Sequence, residues 1–233
     1  MDYKKFLLFG DSITELAFDT RPLESDKDQY ALGAALVNEY TRKMDIVQRG
    51  FKGYNSRWGL KVLPEILKNE SNIVMATIFF GSNDACSAGP QSVPLHEFED
   101  NICQMVSMMK AHHICPIIIG PALIYSQKWE ETKAEEKALG YLRTNQNFAI
   151  YSDALAKLAN KKKVPFVNLN KAFQEKGGDN WRQLLTDGLH FSGKGYEIFH
   201  DELLKTIEES YPEYHPKNMQ YKLGEWTNMV DRQ

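Results

Sequence analysis

Cysteine is scarce in this chain of 233 residues: Cys86, Cys103 and Cys115 are odd in number and lack any C-x-x-C spacing. That excludes a disulfide framework and a thiolate zinc site, and it fits thiols held in a reducing compartment. A long apolar run near the start is also missing. Only Phe6 to Gly10 separates Met1-Asp2-Tyr3-Lys4-Lys5 from Asp11, too short for a signal peptide or a membrane helix. The cytoplasm is the expected compartment, with no membrane insertion, and the sequon Asn69-Glu70-Ser71 then never meets the glycosylation machinery. Neither sign of charge dominates, with 28 Lys and Arg against 31 Asp and Glu and a formal net charge of −3. Such a chain has no broad basic field to neutralise a phosphate backbone, so nucleic acid is not expected as a partner.

Metal and cofactor signatures are equally scarce. His96, His112, His113, His200 and His215 form no H-E-x-x-H or comparable spacing, so no metal is expected. Gly193-Lys194-Gly195 lacks the third glycine and the preceding strand of a dinucleotide loop, and no Walker sequence occurs. No cofactor is expected. Cys86, two residues after Asp84, has no neighbour in sequence that would mark it as a reactive thiolate, and it reads as pocket wall or core. With 42% hydrophobic residues, no internal repeat and no low-complexity linker, residues 1–233 read as one domain. A chain of this length buries roughly 70% of its surface without staples.

What is present is an alternation of short apolar runs and helical stripes. Phe6–Phe9, Asp45–Gln48, Ile73–Phe80, Pro116–Ile119 and Pro165–Leu169 are unbroken, as strands buried on both faces are. Between and after them come stripes marked by Leu32 to Tyr40, Phe98 to Met109, Phe148 to Leu158, and Tyr196 to Ile207 with Ser192 as its N-cap. Parallel strands need crossovers of a dozen residues or more, and these spacings supply them. The expected fold is α/β: a three-layer α/β/α sandwich with a central five-stranded parallel sheet, flavodoxin-like. Two regions break the pattern. The charge run within 127–139 reads as a solvated helix, with a lid over 121–143 as the alternative. The tail, 211–233, is rich in Tyr, Trp and Met and is expected to pack on the domain or on a second subunit, which makes a homodimer the expectation.

Each of the first three strands runs into a small polar motif: Gly10-Asp11-Ser12, Gly50-Phe51-Lys52-Gly53-Tyr54-Asn55, and Gly81-Ser82-Asn83-Asp84. In a parallel sheet all three emerge at the carboxyl edge, where open α/β sheets bind ligands. Leu185-Thr186-Asp187-Gly188-Leu189-His190 follows the fifth strand, and an Asp three residues before a His can fix the tautomer of the imidazole. A hydroxyl within reach makes a triad possible, and Ser12, on the turn that follows the first strand, is the candidate. Taken alone, Ser12 to Glu15 fits a capping box, Asn83-Asp84 a turn and His190 a loop histidine satisfied locally. Arg57 and Trp58 read as packing and surface rather than substrate contacts.

These four motifs, in this order, resemble the blocks of the SGNH (GDSL-like) hydrolase superfamily over most of the chain. Phe9 to Glu15, Gly53 to Trp58, Asn83-Asp84-Ala85 and Thr186 to Phe191 are similar to its isoamyl-acetate-hydrolysing esterase branch. Ile13 stands where many members have Leu, and Ser82 where a small apolar residue is more usual. The resemblance implies Ser12 as nucleophile, His190 as general base and acid, and Asp187 as its orienting carboxylate. It implies an oxyanion hole of the Ser12 and Gly53 N–H groups and the Asn83 amide. Asp11 and Asp84 follow as supporting carboxylates. The implied activity is serine esterase action on a small-molecule ester, with acetate esters of medium-chain alcohols preferred, a role in lipid degradation, and turnover rising as His190 loses its proton. A carbohydrate O-deacetylase, a thioesterase, a metal-dependent phosphoesterase or a non-catalytic flavodoxin-like binding module are the competing readings.

Overall fold

The computed structural model describes residues 2–22 and 27–227. Five strands form one sheet in the order β2-β1-β3-β4-β5, and every pairing is parallel. They are β1 (Lys4–Gly10), β2 (Met44–Gly50), β3 (Ile73–Phe79), β4 (Cys115–Ile119) and β5 (Phe166–Val167). The helices are α1 (Ser12–Glu15), α2 (Leu32–Glu39), α3 (Ser56–Asn69), α4 (Leu95–Ala111), α5 (Ser126–Thr132), α6 (Ala134–Ala138), α7 (Asn145–Lys162), α8 (Leu169–Gly177) and α9 (Gly193–Ser210).

Successive side chains of a strand point to opposite faces, so an unbroken apolar run feeds two cores at once. Phe6 and Leu8 of β1 join Leu36, Tyr40, Phe173, Tyr196 and Phe199 under α2, α8 and α9. Leu7 and Phe9 turn the other way, into Leu63, Phe98, Ile102, Met105 and Leu155 under α3, α4 and α7. The three layers of the expected sandwich are these two helical faces and the sheet between them. Each fully buried Leu or Phe contributes about 1.5–3 kcal/mol relative to exposure, against a few tenths for the exposed ion pairs such as Arg21–Asp28.

Three elements differ from the sequence reading. The fifth strand is only Phe166–Val167, because Asn168 turns to cap α8, accepting from the Lys171 N–H at 2.9 Å. The helix α3 carries no stripe that the sequence reading singled out, and it tolerates Pro64 on its exposed side. The charged run is not one solvated helix. It breaks at Lys133 into α5 and α6, and Trp129 of α5 is buried. Downstream of α9, the Tyr40 hydroxyl donates to Tyr214 O at 3.0 Å, Lys43 Nζ to Pro216 O at 2.8 Å, and the Lys222 N–H to Arg42 O at 2.9 Å. Tyr221 and Trp226 stay exposed, and residues 228–233, Met229 among them, lie outside the described residues. No helix among the described residues is long and apolar enough to cross a membrane.

Candidate active site

The register pairs Gly10 with both Gly50 and Phe79, so β1, β2 and β3 end level with one another. The Asp11 N–H donates to Phe79 O at 3.2 Å and the Phe51 N–H to Gly10 O at 3.0 Å, which holds the first three exit loops side by side. A Cβ on Gly50 would fall on the backbone of Thr14 and Glu15, atoms that cannot swing aside. Gly50→Ala is expected to push α1 off the sheet edge. Overpacking against backbone costs about 1–3 kcal/mol, so thermal unfolding should show Tm falling by roughly 2–10 °C, with ester turnover reduced in the folded fraction.

Asp11 rather than Ser12 is the cap of α1, accepting from the Ile13 N–H at 2.9 Å. The cap therefore sits one residue earlier than the Ser12-to-Glu15 spacing suggests, no capping box forms, since Glu15 Oε2 accepts from the Lys52 N–H instead, and the Ser12 hydroxyl is released from that duty. Its Oγ lies 2.8 Å from His190 Nε2, and His190 Nδ1 lies 2.7 Å from Asp187 Oδ2. The loop carrying both residues is closed by an isolated antiparallel bridge between Leu185 and Phe191 and by the Thr186 N–H donating to His190 O at 2.8 Å. Gly188, at φ +103°, permits the turn, and a Cβ there would meet Trp129 N and Tyr125 O at 2.7 Å. Asp187 Oδ1 accepts from the Leu189 N–H at 3.0 Å and the His190 N–H at 2.9 Å. Burial alone would raise the Asp187 carboxyl. The hydrogen bond and charge of His190, with the two amides, outweigh it and hold the group below its ordinary value.

Asn83 and Gly53 line the same small cavity as Ser12 and His190, about 80 Å³ in volume. Asn83 Nδ2 donates to Tyr54 O at 2.8 Å, which uses one of its two N–H bonds and leaves one for the cavity. Asp84 joins the second and third motifs: its Oδ1 accepts from the Ser56 N–H at 2.8 Å and its Oδ2 from the Gly81 N–H at 3.1 Å. Burial pushes Asp84 up to about 6 against the pull of those bonds. Asp11 rises to about 7 for the same reason, and its Oδ2 has no hydrogen-bond partner among the described residues. Both carboxyls keep a proton in the folded chain where the unfolded chain has lost it. Their contribution to stability is full below the ordinary carboxyl range and is lost as pH rises through about 6 and about 7.

A second, open cavity of about 660 Å³ adjoins the first, lined by Gln29, Lys52, Lys128, Trp129, Asp187 and His190 among others. Trp129 stands between the two, its ring meeting that of His190 edge-on at 5.8 Å. Five residues that the motifs did not single out thus belong to the site: Trp129, Lys133, Glu136, Arg143 and Gln91. The first four come from the region whose charge spacing reads as a solvated helix or lid. Arg57, by contrast, lies against Glu97 in a two-bond ion pair, with Nε 2.6 Å from Oε1 and Nη2 2.8 Å from Oε2. Among the described residues no group of three or more His, Cys, Asp or Glu is placed to hold a metal.

A hydroxyl, an imidazole and a carboxylate in hydrogen-bonded line, at the carboxyl edge of a β2-β1-β3-β4-β5 sheet, define an acyl-transfer hydrolase of the α/β/α type. Residues 6–203 match the GDSL-like Lipase/Acylhydrolase family, and the chain belongs to that family and is a carboxylic ester hydrolase. At closer range it is 79% identical over 231 residues to the isoamyl acetate-hydrolyzing esterase of Saccharomyces cerevisiae, covering 99% of this chain and 97% of that one. It is 32% identical over 216 residues to the human isoamyl acetate-hydrolyzing esterase 1 homolog, covering 89% and 82%. Among solved structures, a lipase/acylhydrolase from Enterococcus faecalis superposes with a TM-score of 0.69 at 21% identity, covering 95% of this chain and 100% of that one. A mutant of an acetyl-xylooligosaccharide esterase from Geobacillus gives a TM-score of 0.65 at 20% identity, covering 88% and 94%. These two establish a shared fold.

Proposed function

We propose that the chain hydrolyses acetate esters of medium-chain alcohols, isoamyl acetate among them, through Ser12, His190 and Asp187. The observation that carries this reading is the unbroken line Asp187 Oδ2, His190 and Ser12 Oγ opening on a cavity of about 80 Å³. His190 Nε2 takes the hydroxyl proton as Ser12 Oγ attacks the ester carbonyl. The oxyanion rests on the N–H groups of Ser12 and Gly53 and the Asn83 amide, donors that carry no titratable proton. His190 then gives the proton to the leaving alkoxide, and a water repeats the sequence to release the acid. Asp187 holds the imidazole with its Nδ1 proton inward throughout, while Asp11 and Asp84 support the loops that carry Ser12 and Asn83.

The small cavity suits an acetyl group, and the open one beside it, about 660 Å³, suits the alcohol. The substrate in the yeast relative's name points the same way. The three free thiols support a reducing, cytoplasmic location, and the exposed Tyr221, Leu223 and Trp226 support a homodimer. Turnover of such esters would serve lipid degradation.

The experiment is a panel of p-nitrophenyl acetate, butyrate and octanoate, acetylated sugars and acyl-thioesters, with a p-nitrophenyl phosphonate as covalent probe. Acetate should be favoured over butyrate in kcat/KM by roughly tenfold or more, since each methylene that a pocket cannot accommodate costs about that factor. Peptide mapping should find the phosphonate on Ser12. Preference for acetyl-sugars or thioesters would replace the substrate assignment, and a label on any other residue would overturn the nucleophile.

A further inference from the structure

We infer that Arg143 and Gln91 form a clamp that sets the separation and orientation of two oxyanion donors, Gly53 and Asn83; this rests on the reading under Proposed function. Four hydrogen bonds close a ring. Gln91 Nε2 donates to Gly53 O at 2.8 Å, and Gln91 Oε1 accepts from Arg143 Nη2 at 2.6 Å. The same Nη2 donates its other hydrogen to Asn83 Oδ1 at 3.2 Å, and Asn83 Nδ2 donates to Tyr54 O at 2.8 Å, one residue beyond Gly53. Arg143 Nε adds a bond to Ser82 O at 3.1 Å, next to Asn83 in the chain.

The ring acts on each donor differently. Asn83 cannot flip, because its oxygen would then face the Tyr54 carbonyl and its amino group the guanidinium. The cation on Oδ1 also draws density through the amide, which makes the remaining Nδ2 hydrogen a stronger donor toward developing negative charge. Gly53 has no Cβ and sits at φ +80°, so nothing in its own geometry keeps its N–H aimed into the cavity. Gln91 pins the carbonyl side of that residue and so limits the rotation.

Burial supports a role beyond packing. Arg143 is 1% exposed, stacked 5.4 Å from the Trp129 ring, with Glu136 Oε2 3.7 Å from its Nη1 as the nearby counter-charge. Burying a guanidinium is costly unless its hydrogen bonds repay it, and the repaying bonds run to Ser82, Asn83 and Gln91. Only a planar fork reaches all three; a lysine ammonium restores the charge and not the geometry.

The test uses the full chain and p-nitrophenyl acetate, with Arg143→Met, Arg143→Lys, Gln91→Met, Asn83→Ala and the double variant Arg143→Met with Asn83→Ala. Asn83→Ala should lose roughly 10²–10³ in kcat, and Arg143→Met and Arg143→Lys roughly 10², with KM held within about threefold. In the Asn83→Ala background, Arg143→Met should cost no more than about tenfold further, the share that reaches Gly53 through Gln91, because its action through Asn83 has nothing left to position. Gln91→Met, at a half-buried site, should lower kcat about tenfold at unchanged Tm, and it decides the matter if Arg143→Met fails to fold. Losses that multiply in the double variant, rescue by lysine, or wild-type kcat in Gln91→Met overturn the clamp. Turnover near the wild-type rate in Ser12→Ala overturns the parent reading instead, whereas a Ser12→Ala variant reduced to residual turnover beside fully active Arg143 and Gln91 variants removes the clamp alone.

Discussion

Ser12→Ala is expected to lower kcat on p-nitrophenyl acetate by roughly 10⁶-fold, the scale seen when a triad nucleophile is deleted, while Tm stays within about a degree or two. The two expectations come from the same geometry. Ser12 Oγ is 2.8 Å from His190 Nε2 and makes no cap bond, because Asp11 satisfies the Ile13 amide. Removing the oxygen therefore abolishes attack and leaves the helix end intact. Unfolding Ser12→Ala in a thermal scan beside the kinetic assay checks both halves. Residual turnover above background should come from the Gly53 and Asn83 donors and be insensitive to the phosphonate. A variant that loses stability in proportion to activity would mean that the hydroxyl is structural.

That separation of duties between Asp11 and Ser12 also shows where the sequence was readable and where it stopped. The strands β1, β3 and β4 announce themselves because residues buried on both faces leave an unbroken apolar run, and Phe6 to Phe9 is such a run, whereas β2 at the sheet edge is only half-buried and Asp45 on it is exposed. The motifs that bear Ser12, Gly53, Asn83, Asp187 and His190 could be found because each sits at a strand exit, so order along the chain implied convergence in space. The helix register at Ser12 could not be read, since Asp11 and Ser12 are both good caps and only the backbone turn after Gly10 decides between them. Arg143 and Gln91 left no trace of another kind. One follows a charged stretch and the other lies in a Ser- and Pro-bearing loop, and what gives them meaning is the return of distant segments: Arg143 reaches Ser82, Asn83 and Gln91, all more than fifty residues earlier. Periodicity reports which face of an element is buried, and a buried cation held by three residues of the connection between β3 and α4 has no period. Trp129 is an intermediate case, an aromatic among charges at helical spacing whose burial against His190 is fixed only by how α5 docks.

Asp187→Asn should be nearly as damaging as loss of the nucleophile, about 10⁴-fold in kcat, and for a reason that the loop makes unusually specific. Asp187 Oδ1 takes two backbone hydrogen bonds, from the Leu189 and His190 amides, and only Oδ2 faces the imidazole. An asparagine must keep its oxygen on those amides, since its amino group there would oppose two N–H donors. Its amino group is then forced onto His190 Nδ1, which has to become an acceptor. The ring proton moves to Nε2 and points at Ser12 Oγ, so the base can no longer accept the hydroxyl proton. The loop itself should survive, because the bridge from Leu185 to Phe191 and both backbone bonds are retained. Charge enters the stability in one further way. Asp187 is held below its ordinary value in the folded chain, so its ionised form contributes stability that is present above that ordinary value and disappears as pH falls through the depressed one. The asparagine variant lacks this term, and its Tm should vary less than that of the wild type between about pH 5 and pH 3. Kinetics at neutral pH and thermal scans across the acid range read the two effects separately: unimpaired kcat would remove Asp187 from the mechanism, and an unchanged acid profile would mean that its carboxylate is not held by His190.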